Sequence, residues 1–168
     1  RYLVFEPDRG GWNNIRMAAE TAMIFAHASG RILVMPPEEH WYLLQANSNH
    51  EENHSEFEDF FQLEKIAENL EIISMEEFLT QTAAAGLLKK PFPGTAQGNR
   101  WRGYSVEQFV RDGVDNRGND GLWGYLKEAC YVRQWEPGKI HIGFNLVLKP
   151  DQPKSLRARY DVNDYVDF

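Results

Sequence analysis

The segment Asp8-Arg9-Gly10-Gly11-Trp12-Asn13-Asn14-Ile15-Arg16 gathers groups suited to holding an anion. Paired glycines let a ligand approach the backbone closely. The amides of a helix's first turn suit negative charge. With Asn13 as N-cap of the helix that follows, Arg16 falls in that helix's first turn. A cation there opposes the helix macrodipole at about 0.3–1 kcal/mol. The offset is either an i,i+4 contact with Glu20, in the less favourable orientation, or an anionic ligand or an acidic neighbour such as Asp8. The spacing is not the dinucleotide fingerprint, because G-x-G-x-x-G is absent. It is not a P-loop either, because no Gly-Lys-Ser/Thr follows.

A second constellation, His50-Glu51-Glu52-Asn53-His54, fits H-E-x-x-H. Two histidines four apart on a helix can ligate zinc, with Glu51 as general base and Glu71, Glu76 or Glu77 as a third ligand. Polar Asn47, Ser48, Asn49, Asn53 and Ser55 deny that segment the apolar face such a helix needs. Ser55 also reads as the N-cap of the next helix, which leaves His54 outside it. A solvated loop is the simpler reading.

Smaller signals have simpler structural readings. Arg100-Trp101-Arg102 with Tyr104 could stack on a base or sugar, but such residues more often fix an irregular loop. His27 suits the negative end of its helix. Glu38 and Glu39 follow a strand, where an acid can meet ribose, and equally suit a loop. Cys130, the single cysteine, reads as a small buried hydrophobe and excludes an internal disulfide. Asn53-His54-Ser55 is an N-glycosylation sequon. No Ser-His-Asp set accompanies a nucleophile elbow.

The elements that must position these groups begin with a β-α-β pattern. Tyr2 to Phe5 is an apolar run ended by Pro7 and the glycine pair. A helix to about Ala28 follows, with Ile15, Ala18, Ala19, Ala22, Phe25 and Ala26 at helical spacing and Gly30 as its stop. Arg31 to Met35 is a second strand, closed by Pro36-Pro37 and parallel to the first through a crossover. Residues 38–55 read as a polar loop. Three capping boxes then start helices, at Ser55-x-x-Glu58, Ser74-x-x-Glu77 and Ser105-x-x-Gln108. The first leads through Phe57, Phe60, Phe61, Ile66 and Leu70 to the short strand Glu71 to Ile73. Lys89 to Gly103 reads as irregular, Gly121 to Tyr131 as a short helix, and Ile140 to Phe144 as a half-buried strand. The tail after Pro150 has no clear period.

A chain of 168 residues with 42% apolar and 13% aromatic content suffices for one sizeable core. That excludes a disordered chain or a disulfide-stapled miniature. The net charge of −7 argues against broad nucleic-acid binding. No apolar run reaches the roughly 20 residues that span a bilayer. Charge is uneven: residues 1–80 hold 5 Lys/Arg against 15 Asp/Glu, and residues 81–168 hold 13 against 10. Opening directly on a strand, without an initiator Met or leader, the chain reads as a piece of a longer protein.

Phe5-Glu6-Pro7-Asp8-Arg9-Gly10-Gly11-Trp12-Asn13-Asn14-Ile15-Arg16-Met17 resembles the Gly-Gly-x-Asn-Asn/Gln-x-Arg motif of the GDP-fucose protein O-fucosyltransferases. Arg31 to Pro37 looks like that family's second strand, and Ser55 to Phe61 like its Ser-x-Phe-x-Asp-Ile-Phe segment. The likeness covers about residues 1–80 well and the remainder poorly. It implies an α/β fold, a Rossmann-like parallel sheet with flanking helices, resembling the amino-terminal half of a GT-B glycosyltransferase. Residues 1–88 form the βαβ core, and 89–168 continue the same domain with irregular loops.

The implied reaction moves fucose from GDP-fucose to Ser or Thr hydroxyls of proteins, with inversion. Asn13, Asn14 and Arg16 carry over as catalytic residues, and Arg9, Gly10, Gly11 and Trp12 as substrate-binding ones. No metal or other cofactor is expected, since no Asp-x-Asp follows a strand. The expected partners are GDP-fucose and a protein or glycan acceptor, with no nucleic acid. The resemblance places the enzyme in the ER or Golgi lumen. It leaves room for a membrane anchor outside this chain, which itself reads as soluble.

One departure matters. The family's His-x-Arg-Arg strand, whose arginine clamps the diphosphate, has no counterpart; Leu156-Arg157-Ala158-Arg159-Tyr160-Asp161 is the nearest stretch. Alone, the chain reads as an incomplete catalyst. The alternatives are the zinc peptidase on residues 50–54 and a non-catalytic carbohydrate-binding or interaction module.

Overall fold

Alternation along two short strands divides the core in two. In β1 (Tyr2–Val4) and β2 (Ile32–Val34) successive side chains point to opposite faces. Leu3, Phe5, Leu33 and Met35 join one apolar cluster, Val4 and Val34 the other. Both faces are covered, so the strands read as continuous apolar runs.

The structure is a computed structural model. It describes residues 1–8, 10–39, 57–116 and 118–130, and the strand residues 141–142, 146–147 and 160–161. In chain order α1 (Trp12–Ser29) joins β1 to β2. A 3-10 turn (Phe57–Asp59), α2 (Leu63–Ala67), β3 (Ile72–Ile73) and α3 (Met75–Ala84) follow. Then come α4 (Val106–Val114), α5 (Leu122–Ala129), β4 (His141–Ile142), β5 (Leu146–Val147) and β6 (Tyr160–Asp161).

The main sheet has the order β3-β2-β1-β6. Its first three strands are parallel, with Leu3 opposite Leu33 and Leu33 opposite Ile72. That is the α/β parallel sheet the sequence implies. β6 adds an antiparallel edge, Leu3 opposite Asp161, from a stretch where the sequence shows no period. β4 and β5 form a separate antiparallel pair.

α1 packs the first face through Ile15, Ala19, Ala22, Met23, Phe25 and Ala26. It ends at Gly30, whose φ of 63° is the left-handed conformation a glycine stop supplies. The second face is covered by α3, α4 and α5 through Phe78, Leu79, Phe109, Val110, Leu122 and Leu126. One cluster thus draws on residues from both sides of position 88.

The helix starts follow the sequence unevenly. The Ser105 hydroxyl accepts the Gln108 amide and the Gln108 side chain accepts the Ser105 amide, a complete capping box. Ser74 accepts the Glu77 amide at 3.1 Å, but the Glu77 carboxylate accepts from Gln81 Nε2 instead of returning to the cap. Ser55 lies outside the described residues. The helix expected after it divides into the 3-10 turn and five-residue α2, because Gln62 leaves helical geometry at ψ 73°. The division lets Phe57 meet Phe5 while Phe60 meets Trp12. Ser105→Ala should cost about 1 kcal/mol of stability, read as a lowered urea midpoint at unchanged slope.

Cys130 is 1% exposed in the second cluster. Burial pushes its thiol up to about 12, slightly countered by Lys89. The folded state holds this proton more tightly than the unfolded chain does. The thiol's contribution to stability is therefore fully present below the unfolded thiol's pKa of about 8.5. It is lost as pH climbs from there towards 12. A thiol reagent at pH 8 should leave native protein unlabelled and titrate one thiol after denaturation; rapid labelling of folded protein would contradict this burial.

Candidate active site

Three chain exits lie beyond the carboxyl ends of the parallel strands, where open α/β sheets take ligands. They are residues 6–8 and 10–11 after β1, 35–38 after β2 and 74–77 after β3.

The first carries the glycine turn. The Gly10 amide donates to Asp8 Oδ1 at 2.7 Å, closing a local side-chain turn. A Cβ on Gly10 would collide with the Asn14 amide nitrogen and lie 2.8 Å from Asp8 Oδ1. Asp8, Gly10 and Asn14 therefore converge, and a side chain at position 10 would require the Asp8 and Asn14 side chains to shift. Gly11 is the N-cap, in extended conformation, and no side chain caps the helix. This corrects the assignment of Asn13 as cap. Trp12 is the first helical residue, Asn13 and Asn14 complete the first turn, and both asparagines are exposed. With no side-chain hydrogen bond from its N-cap and no acid in its first turn, this eighteen-residue helix offers its positive end to the turn.

Arg16 is displaced by the same correction. It opens the second turn, where the dipole penalty has faded. Its Nε lies 3.4 Å from Glu20 Oε1, with the two side chains 50% and 45% exposed. The plain i,i+4 pairing is thus what the structure contains; Asp8 is engaged with Gly10 instead. Such a pair contributes at most about 0.5 kcal/mol, so the guanidinium is held lightly. Trp12 stacks on Phe60 with ring centroids 3.9 Å apart and approaches Phe61 at 6.2 Å. Phe60 is 42% exposed, so an apolar platform stands beside the turn. Arg9 lies outside the described residues.

Glu6 lies at the same exit, although its residue type gives no signal in the sequence. Its side chain is 5% exposed at the exit of β1, with Lys127 Nζ 3.7 Å away. The contact ties α5 to the base of the turn. The exits of β2 and β3 border a hollow of about 800 Å³ that no sequence motif marks. The rule that every parallel-strand exit lines the crevice would have found both.

Other candidates take structural roles. Arg100 pairs with Asp120 at 2.9 Å and lies 4.3 Å over the Trp101 ring, whose indole donates to the Asp120 carbonyl at 2.6 Å. These contacts fix the loop. His27 Nδ1, in the last turn of α1, donates to the Asn69 carbonyl, 3.0 Å away. The residue is roughly 22 Å along the helix from the turn. His50 to His54, the sequon and Leu156 to Arg159 lie outside the described residues. Among the described residues no group of three or more His, Cys, Asp or Glu is placed to hold a metal. No described helix is long and apolar enough to cross a membrane.

A family model for GDP-fucose protein O-fucosyltransferase matches residues 2–142. The chain belongs to this family. The match makes it a fucosyltransferase-type glycosyltransferase domain, and it carries neither the peptidase nor the binding-module reading. It also runs well past residue 80, where the motif likeness fades, and takes in α4 and α5. No curated protein and no solved structure matches the chain. The glycine turn at the exit of β1 lies within the residues that match the O-fucosyltransferase family.

Proposed function

We propose that this chain is the glycine-turn half of an inverting transferase that moves fucose from GDP-fucose to a Ser or Thr hydroxyl of a protein. The observation that carries the reading is the uncapped, acid-free amino terminus of α1, reached through Gly10-Gly11 at the exit of β1, in a chain of this family. The GT-B arrangement, a Rossmann-like half facing a second nucleotide-binding half, is part of the proposal. So is the reading of 89–168 as a continuation of the 1–88 core, supported by the cluster the two share.

In this reading the acceptor oxygen bonds to the anomeric carbon as the bond to the diphosphate oxygen breaks. The diphosphate leaves with the electron pair, and the hydroxyl proton passes through water to solvent. First-turn amides and Arg16 stabilise the leaving charge. Asn13 and Asn14 hydrogen-bond the sugar or hold the water beside the acceptor. Gly10 and Gly11 admit the donor to the backbone, Trp12 bounds its apolar side, and Arg9, adjacent in sequence, is assigned with them to donor binding. The reaction takes no metal, so a chelator should leave turnover unchanged, and the compartment is the secretory lumen.

Calorimetry on the full-length protein tests the core of this. GDP-fucose should bind, and the product's anomeric configuration should be opposite to the donor's. No binding of GDP-fucose or GDP by a chain containing both halves would sink the transferase reading.

A further inference from the structure

The hollow at the exits of β2 and β3 differs in character from the glycine turn beside it. Its floor is core: Met35, Phe57, Met75 and Val110 are buried, and Ile72 and Ile73 half-buried. Its rim carries five carboxylates, Glu38, Glu58, Glu64, Glu76 and Glu77. The cation lining it is Arg111, whose Nε lies 2.8 Å from Asp112 and is thus already engaged. Four of the acids sit in the first turn of their own helical element, which accounts for each locally. That preference does not require three such turns to face one apolar hollow, and Glu38 lies in no helix.

The two neighbouring exits therefore select opposite charges. The turn after β1 suits an anion. The hollow repels a diphosphate and attracts a cation. Aromatic rings join them: Phe57 packs on Phe5 and Phe61 at 6.1 Å each, and Phe61 reaches Trp12 at 6.2 Å. At about 800 Å³ with an apolar floor, the hollow can take a side chain and a short stretch of backbone.

We infer that this hollow docks a Lys- or Arg-bearing, apolar-anchored segment of the acceptor protein, presenting its hydroxyl towards the glycine turn. The inference rests on the transferase reading for the identity of its occupant as acceptor. Charge complementarity selects that occupant: apolar burial supplies the anchor and the carboxylate rim the preference.

The test uses full-length protein and two fluorescein-labelled peptides. Both carry Ser, Thr and a central Leu-Phe pair; one is flanked by lysines, the other by glutamates. The lysine peptide should bind on the order of tenfold more tightly, and more weakly as salt rises. The triple variant Glu58→Gln, Glu64→Gln, Glu76→Gln should lose that preference, with a melting temperature lowered only by the loss of three favourable helix-dipole contacts and with unchanged GDP-fucose affinity. Equal binding of the two peptides, or a triple variant that keeps the preference, would overturn the inference. Displacement of the peptide by GDP would instead make the hollow a nucleotide site. Self-association that the triple variant loses would make a second copy the occupant. Failure of wild-type protein to bind GDP-fucose would strike the transferase reading, while the peptide comparison would still judge the groove.

Discussion

Phe109→Ala should lower the stability of the domain by about 3–5 kcal/mol, the largest structural effect expected here. Phe109 is 0% exposed on α4. Its ring meets Trp101 at 5.3 Å, Phe92 at 5.5 Å and Tyr125 at 5.7 Å, each edge to face. Truncation removes the burial of a whole aromatic side chain and the three edge contacts, and leaves a cavity among large rings that cannot collapse easily. Phe109→Leu keeps most of the volume and should cost less than about 1.5 kcal/mol. The same ring belongs to the cluster that contains Val4 and Val34 of the central strands. Urea unfolding of Phe109→Ala should therefore remain a single transition, moved to lower denaturant. A separate early transition confined to residues after 88 would show that α4 and α5 fold independently of the sheet. An unmoved midpoint would show that the aromatic cluster does not hold this region.

The elements legible in the sequence are those whose burial has a period. Ile15, Ala19, Ala22 and Ala26 repeat at helical spacing, and all are buried on α1. The apolar runs around Leu3 and Leu33 are short and bounded by Pro and Gly, and they are the parallel strands. Gly30 and Ser105 encode their caps in their own chemistry. Less legible was anything fixed by partners distant in sequence. One feature of short range also escapes the residue order: α1 starts from Gly11 and not Asn13 where Asp8 accepts the Gly10 amide and the Asp8 and Asn14 side chains meet at that glycine. The helix expected from Phe57 to Leu70 divides because its phenylalanines answer to Phe5 and Trp12 as well as to one another. β6 pairs Asp161 with Leu3 across almost the whole chain, and no local period announces it. The candidate site divides the same way. The glycine turn was visible as residue types in order, whereas the acid-rimmed hollow collects residues from 35 to 111 and exists only once the sheet has formed.

Arg16→Ala should cut kcat/KM for fucosyl transfer by about 10²–10³-fold, the loss typical of removing one preorganised charge-stabilising donor. The melting temperature should hardly change. Half-exposed Arg16 touches Glu20 at 3.4 Å in a pair whose removal costs no more than about 0.5 kcal/mol. That contrast makes Arg16 the sharpest probe of the site. A residue that mattered only to the helix would lose stability and activity together, and by little. On the transferase proposal the light tether matters: the pair with Glu20, one turn further along α1, holds the guanidinium weakly enough for a diphosphate at the turn to draw it over. Glu20→Ala should therefore lower stability slightly and leave the maximal rate within about twofold, since a surface pair of this kind contributes under 1 kcal/mol. Arg16→Lys should recover only part of the rate, because an ammonium is a point charge and cannot grip two phosphate oxygens at once. The loss should fall mainly on kcat if Arg16 meets charge that develops as the diphosphate departs, and on the donor's KM if it only binds the ground state. Wild-type turnover by a folded Arg16→Ala protein would remove Arg16 from the mechanism and leave the leaving charge to the first-turn amides of α1.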